Sequence, residues 1–355
     1  MKGECPTWYN IRALKKKEDY NLRILKSENK TRGALLPKVV ATGALAAMLC
    51  SAAPRENISA SERRVEQNLN RSAGYTYNVN NSYEYPGVTI ADGKISYKLP
   101  SIVSKNIRSY KSLAISVNGK SIGTSALMIN STLYFPLRAF ASAVGATSSY
   151  NSATRTTTVR ANGLVLTATD GAYVTYANDR PLFGFSPSVI MSDGRMYVPA
   201  SSLLRAMGLT ESRTQTAVSV SGTLKPLATA AKYYREDEVF WLARIITAEA
   251  RGESLLGQIA VGNVIMNRVA SGQYPNTIYG VIFDRKWGVQ FSPVLDGSIY
   301  NTPTYNATLA AKICLEGTKL SQQSLFFLNP ITAESSWIIH SREYLYSIGG
   351  HDFYS

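Results

Sequence analysis

Three cysteines and two histidines in 355 residues leave little for thiol or metal chemistry. Cys5 and Cys50 lie before or within an apolar run that ends at Ala53, so a chain processed there keeps Cys314 alone. An exported chain of that kind has no internal disulfide framework, and its stability must come from packed cores. Cys314 shares a helical stripe with Leu309, Ala310 and Ile313, which reads as a buried core thiol, because a reactive cysteine needs an accessible, electropositive setting. His340 and His351 stand near the C-terminus without a ligand motif around them, which suits a zinc site poorly. No RNA-binding signature and no Cys/His zinc-finger spacing occurs, so nucleic acid is not an expected partner. Charged residues are only 17% against 45% hydrophobic, within the range of globular domains.

The charge that is present is uneven. The net charge is +14, yet residues 232–355 carry ten Lys/Arg against eleven Asp/Glu, so the basic excess lies upstream. Such a field favours polyanions, among them an anionic membrane surface and the acidic polymers of a cell wall. Behind a stretch containing Lys15, Lys16, Lys17, Lys26, Lys30 and Arg32 comes the run ALLPKVVATGALAAMLCSAA, Ala34 to Ala53. This is the pattern of an export signal, with Ser51 and Ala53 at the spacing of a signal-peptidase site. A retained membrane anchor is the alternative, weakened as a span by Pro37 and Lys38. Residues 1–53 are thus read as signal peptide or anchor, and 54–111 as a polar linker rich in Asn, Ser and Tyr.

Residues 112–222 contain an internal repeat. MINSTLYFPLRAFASAVGA (Met128 to Ala146) aligns without a gap with MSDGRMYVPASSLLRAMGL (Met191 to Leu209). In each half a turn leads into a short strand ending at Pro136 or Pro199, and a helix follows that closes at Gly145 or Gly208. With ISVNGKSI ahead and SYNSATRTTTVR after, this pattern resembles the copper-amine-oxidase N-terminal-like module of secreted bacterial wall proteins. The resemblance implies a stalk or attachment domain. No copper is expected, because residues 112–222 hold no His and no Cys.

After a linker at 223–235, the segment EDEVFWLARIITAEARGE has the period of an amphipathic helix, with Val239, Leu242, Ala243, Ile246 and Ala250 on one face. Glu249 projects beside that apolar stripe near the helix end. Desolvation there would raise its pKa and keep it able to give a proton to a glycosidic oxygen; a salt bridge to Arg244 or Arg251 is the plainer alternative. The blocks that follow are GQIAVGNVIMNRV, QFSPVLDGSIY, FFLNP, a Trp and a closing IGGHDFY. Together, from about Val239 to Tyr354, they closely resemble the SleB-type cell wall hydrolases, the spore cortex-lytic family.

The resemblance implies an α+β chain: a lysozyme-like catalytic domain over 236–355, behind a small α+β stalk built from the repeat. It implies peptidoglycan as substrate, no cofactor, and the first Glu of AEARGE, Glu249, as catalytic acid of a lytic transglycosylase. That chemistry needs no second carboxylate; Glu253, at or past the helix end, and Asp296, in a loop, cannot be assigned as one. Gln290, Phe291 and Ser292 are candidates to line the sugar cleft, joined by Tyr300, Asn329 and Trp337. Asn263 and Asn267 are read as satisfying backbone. An N-acetylmuramoyl-L-alanine amidase and a non-catalytic wall-binding protein stay open as alternatives. The setting implied is outside the membrane, in cell wall or spore cortex, with anionic wall polymers as a second partner of the basic N-terminal part.

Overall fold

The computed structural model describes residues 88–91, 94–97, 107 and 109–355, apart from 287 and 334–336. The leader expected over residues 1–53 lies outside the described residues. No helix among those described is long and apolar enough to cross a membrane. Within the polar stretch 54–111, β1 (Val88–Ala91) and β2 (Lys94–Tyr97) form an antiparallel hairpin.

Alternating apolar residues then build β3 (Lys111–Val117), β4 (Lys120–Ile129) and β5 (Thr132–Pro136), which runs into helix α1 (Leu137–Ala143). Five strands follow: β6 (Thr147–Asn151), β7 (Thr156–Ala161), β8 (Leu164–Thr169), β9 (Val174–Ala177) and β10 (Arg180–Phe183). They form an antiparallel meander. The chain continues through β11 (Val189–Ile190), β12 (Met196–Pro199), α2 (Ala200–Met207), β13 (Thr210–Arg213) and β14 (Ala217–Ser221). These strands join β3–β5 in a sheet of order β11-β12-β5-β4-β3-β14-β13. Strands β5 and β12 pair antiparallel with Phe135 opposite Val198 and Tyr134 opposite Pro199. Each strand ends in a proline that caps the next helix, where its missing N–H costs no ladder bond. Helix α2 closes on Gly208 in the left-handed conformation.

The segment between this module and the C-terminal part is tied down. Lys225 and Leu227 donate backbone N–H bonds to Met207 and Ala206, and Ala230 donates to Asn178. A single turn, α3 (Ala230–Tyr233), precedes the C-terminal helices α4 (Glu236–Ala250) and α5 (Leu255–Ala270). Three carboxylates, Glu236, Asp237 and Glu238, occupy the first turn of α4, where they favour the helix dipole. Ser254 caps α5, its hydroxyl accepting from the N–H of Gly257 at 3.0 Å. The short α6 (Ile278–Ile282) and α7 (Pro293–Asp296) lead to α8 (Tyr305–Leu315), which packs on both α4 and α5. A Cβ at Gly262 would stand 2.7 Å from Cys314 Sγ and 2.9 Å from Ile246 Cδ1, so glycine there lets the three helices approach. The chain ends with β15 (Phe326–Leu328), α9 (Trp337–Ser341), β16 (Tyr344–Ile348) and β17 (His351–Tyr354), the strands in the order β15-β17-β16. The fold is mixed helix and strand throughout.

The helical core does not stop at the module boundary. Tyr173 and Val174 are buried in the same apolar cluster as Leu242, Ile246, Ile259 and Ile313. At this seam Glu316, which follows α8 and has a side chain 0% exposed, takes the fork of Arg180 through two bonds of 2.8 Å. Arg205 of α2 and the hydroxyl of Tyr234 also donate to Glu316, and the Tyr233 ring lies 3.3 Å from the Arg180 guanidinium.

Cys314 is buried in α8 between the Asn263 amide and the Ile259 carbonyl, and burial pushes its thiol well above the usual range. Asn263 donates to the Thr318 carbonyl and accepts from the Leu320 N–H, while Asn267 donates to the carbonyls of Ser321 and Ser324. Both asparagines therefore satisfy the backbone of the loop after α8. We expect iodoacetamide to leave the folded protein unlabelled at Cys314 and fully active; rapid native labelling with loss of activity would contradict this burial.

Candidate active site

Helix α4 ends where Gly252 interrupts the helical run, and the polypeptide turns at Glu253 into α5. Glu249 sits in the last turn, partly buried, and lines a cavity of about 360 Å³. The opposite wall is Phe327, Leu328 and Asn329 from β15 and the residue after it, with Thr332 and His351. Two residues before Glu249, buried Thr247 ties α4 to α8 by accepting at Oγ1 from the N–H of Thr304, the residue that caps α8.

Burial is the first cause of a Glu249 pKa pushed up to about 7, and the negative charge of Asp296 is the second. Neither Arg244 nor Arg251 pairs with it. Arg244 instead donates to the carbonyls of Ile299 and Asn301 and lies over the Phe240 ring. Asp296 behaves oppositely: it is exposed, and hydrogen bonds from Ser298 hold it below the usual carboxylate range. Two nearby carboxyls are thus pushed apart, one able to keep its proton near neutrality and the other ionised, which is how a proton donor is set. Asp296→Asn is expected to move the alkaline limb of the activity profile to lower pH while retaining turnover; an unmoved profile would show that the two charges do not communicate.

Of the other candidates, Asn329 alone shares the cavity with Glu249. Gln290 and Phe291 pack against α5: the Gln290 side-chain oxygen accepts from Arg268 at 3.4 Å, and Phe291, 4% exposed, lies 5.2 Å from the same guanidinium. Arg268 also donates to the Leu325 carbonyl, so this pair braces the approach to β15. Ser292 is exposed at the start of α7. Tyr300 is half exposed with its ring 6.4 Å from Trp241, and Trp337 is half exposed with its ring 6.0 Å from Phe326.

Glu253 could be given no role from the sequence, where it stands at or past the helix end. Its side chain enters the cavity wall, 19% exposed, and the Gly350 N–H faces both carboxylate oxygens at 3.3 Å. A Cβ at Gly349, whose φ is +57°, would stand 1.9 Å from Glu253 Oε2, so both the turn and the carboxylate require glycine. His351 Nδ1 lies 3.6 Å from Glu253 Oε1. The paired glycines before the last histidine, in IGGHDFY, were the available signal. Among the described residues no group of three or more His, Cys, Asp or Glu side chains gathers to hold a metal.

Residues 252–354 match the family described as Cell Wall Hydrolase, and residues 116–221 match the Copper amine oxidase N-terminal domain. Residues 112–222 hold neither imidazole nor thiol, so they do not fit a copper site. The spore cortex-lytic enzyme of Bacillus cereus is 40% identical over 120 residues, 34% of this chain and 45% of that protein. That of Bacillus subtilis strain 168 is 38% identical over 120 residues, 34% of this chain and 38% of that protein. The solved catalytic domain of a germination-specific lytic transglycosylase, SleB from Bacillus anthracis, is 39% identical. It covers 34% of this chain and 97% of the solved one, with a TM-score of 0.32. The chain spans less than half the length of the curated relatives it matches.

Proposed function

The C-terminal part of this chain belongs to the cell wall hydrolase family, and on that premise we propose that it cleaves the glycan strands of peptidoglycan with Glu249 as the proton donor. The observation that carries the reading is a partly buried carboxyl at the mouth of a cavity, able to hold its proton near neutral pH. The family match begins three residues after Glu249, so its role rests on this geometry and on the AEARGE block.

The chemistry proposed is that of a lytic transglycosylase. Glu249 gives its proton to the oxygen of the β-1,4 bond between N-acetylmuramic acid and N-acetylglucosamine, and the bond from that oxygen to the muramic C1 breaks. The muramic 6-hydroxyl oxygen bonds to C1, and its proton returns to the Glu249 carboxylate. Water is neither consumed nor released, and one carboxyl serves as acid and then base. The names of the relatives support spore cortex as the wall attacked. Under the same proposal, residues 1–53 are a signal peptide or a membrane anchor, and residues 112–222 form a stalk of two similar halves that carries a lysozyme-like domain. The test is to incubate the purified chain with peptidoglycan and look for soluble muropeptides. Their release supports the reading, whereas binding to the sacculus without release would leave a wall-binding protein.

A further inference from the structure

Helix α8 joins the seam to the turn that carries Glu249. At its C-terminal end Glu316 is the capping residue, and a carboxylate there opposes the helix dipole. What offsets that charge comes from outside the helical domain: the Arg180 fork from β10, Arg205 from α2, and the Tyr234 hydroxyl from the segment between the two matched regions. The Tyr233 hydroxyl donates to the Leu315 carbonyl at 3.3 Å, and Lys312, one turn earlier, lies 5.6 Å from the Tyr234 ring. At the other end Thr304 caps α8 with its hydroxyl, which accepts from the Ala307 N–H at 3.2 Å. Thr304 gives its own N–H to Thr247 Oγ1 at 3.1 Å, in the last turn of α4, two residues before Glu249. Between these ends α8 has no slack. Its buried face includes Ala307, Ala310, Ala311 and Cys314, small side chains that bring its backbone close to α4 and α5. Close packing of this kind transmits a displacement and does not absorb it.

We propose that Arg180 and Glu316 are positioning residues for Glu249, acting through α8 as a strut, so that the module over residues 112–222 is a buttress of the active site as well as a stalk. Neither residue touches substrate or the reacting atoms. The module grips α8 at Glu316, α8 holds Thr247 through Thr304, and Thr247 fixes the turn from which Glu249 projects. The apolar contacts run the same way, since Tyr173 and Val174 of the module are buried with Leu242 and Ile246 of α4. This role rests on the glycan-cleaving reading and deepens it.

The test uses the full-length chain and soluble peptidoglycan strands, at a temperature well below the melting of every variant. Arg180→Met combined with Glu316→Leu removes the grip without stranding a charge. It is expected to lower kcat by roughly ten- to a hundred-fold with KM within about three-fold, the size of a small misplacement of the acid. Thr247→Val, which keeps the shape and loses the acceptor oxygen, should cause a loss of the same order, and Thr247→Ser should restore most of it. Thr247 and Glu316 are roughly 15–20 Å apart along α8, so independent effects would multiply. A shared strut makes the combined variant slower than its slower parent by no more than about three-fold. A second readout needs no turnover: near pH 8 the rise in melting temperature that Glu249→Gln gives should fall to less than about half in the Arg180→Met, Glu316→Leu background, as a loosened carboxyl regains water. Should that background fail to fold, Arg180→Lys, which keeps the charge and loses the fork, takes its place. Wild-type kcat without the grip, or losses that multiply, overturns the strut. If the wild type releases nothing from peptidoglycan, the enzymatic reading falls and the melting readout decides alone: a reduced rise keeps the strut, and an unchanged rise overturns it.

Discussion

On the proposed chemistry, replacing Glu249 by Gln is expected to lower the rate of glycan cleavage by roughly 100- to 10,000-fold while leaving substrate binding nearly intact, because Gln keeps the shape and loses the transferable proton. The same substitution has a signature in stability. In the unfolded chain this carboxyl ionises near 4.5, and in the folded chain near about 7. Between those values the folded protein holds a proton that the unfolded one has released, so the carboxyl costs nothing below about pH 4.5. The cost grows through the window and reaches on the order of 3 kcal/mol above pH 7. Glu249→Gln removes that cost. The variant should melt like wild type at pH 4.5 and at a higher temperature at pH 8. Wild-type cleavage is expected to fall as pH rises through about 7, where the folded-state acid ionises. Equal melting temperatures at pH 8 would mean that Glu249 is not desolvated, and the raised pKa would have to be abandoned.

The second large effect lies at the seam between the two matched regions. Glu316→Ala leaves the buried Arg180 fork without its carboxylate, and losing one partner of a buried pair costs about 3–5 kcal/mol. For a chain of this size that lowers the melting temperature by on the order of 10 °C. Arg180→Met combined with Glu316→Leu should cost less than Glu316→Ala alone, because no charge is then stranded. High salt should barely change either result, since screening acts weakly on a pair with 4% and 0% side-chain exposure. A Glu316→Ala protein that melts with the wild type would show that the seam carries no stability.

This seam was not legible in the sequence. Residues 223–235 read as a linker, yet Tyr233, Tyr234 and Ala230 make specific contacts to both sides. Arg180 and Glu316 are 136 positions apart, and nothing local to either predicts the other. What was legible depended on period and punctuation. The 3.6-residue spacing of Leu242, Ala243, Ile246 and Ala250 placed α4, and Pro136 and Pro199 placed the starts of α1 and α2. Glu249 could be singled out because a carboxylate beside an apolar stripe is a local feature. The cavity around it was harder. Asn329 was named, but Glu253 reaches Gly350 across 97 positions and reads locally as a residue past a helix end. Phe291 and Gln290 stand in a block that suggests a sugar platform, while the fold uses them to hold Arg268.

The central claim is that Glu249 drives an internal attack by the muramic 6-hydroxyl. Mass spectrometry of the muropeptides released by the wild-type chain in ¹⁸O-labelled water tests it most directly. The account predicts products ending in 1,6-anhydromuramic acid with no label incorporated, and no such products from Glu249→Gln. Reducing-end muramic acid carrying the label would contradict it, would establish hydrolysis, and would turn attention to Asp296 or Glu253 as the carboxylate that activates water.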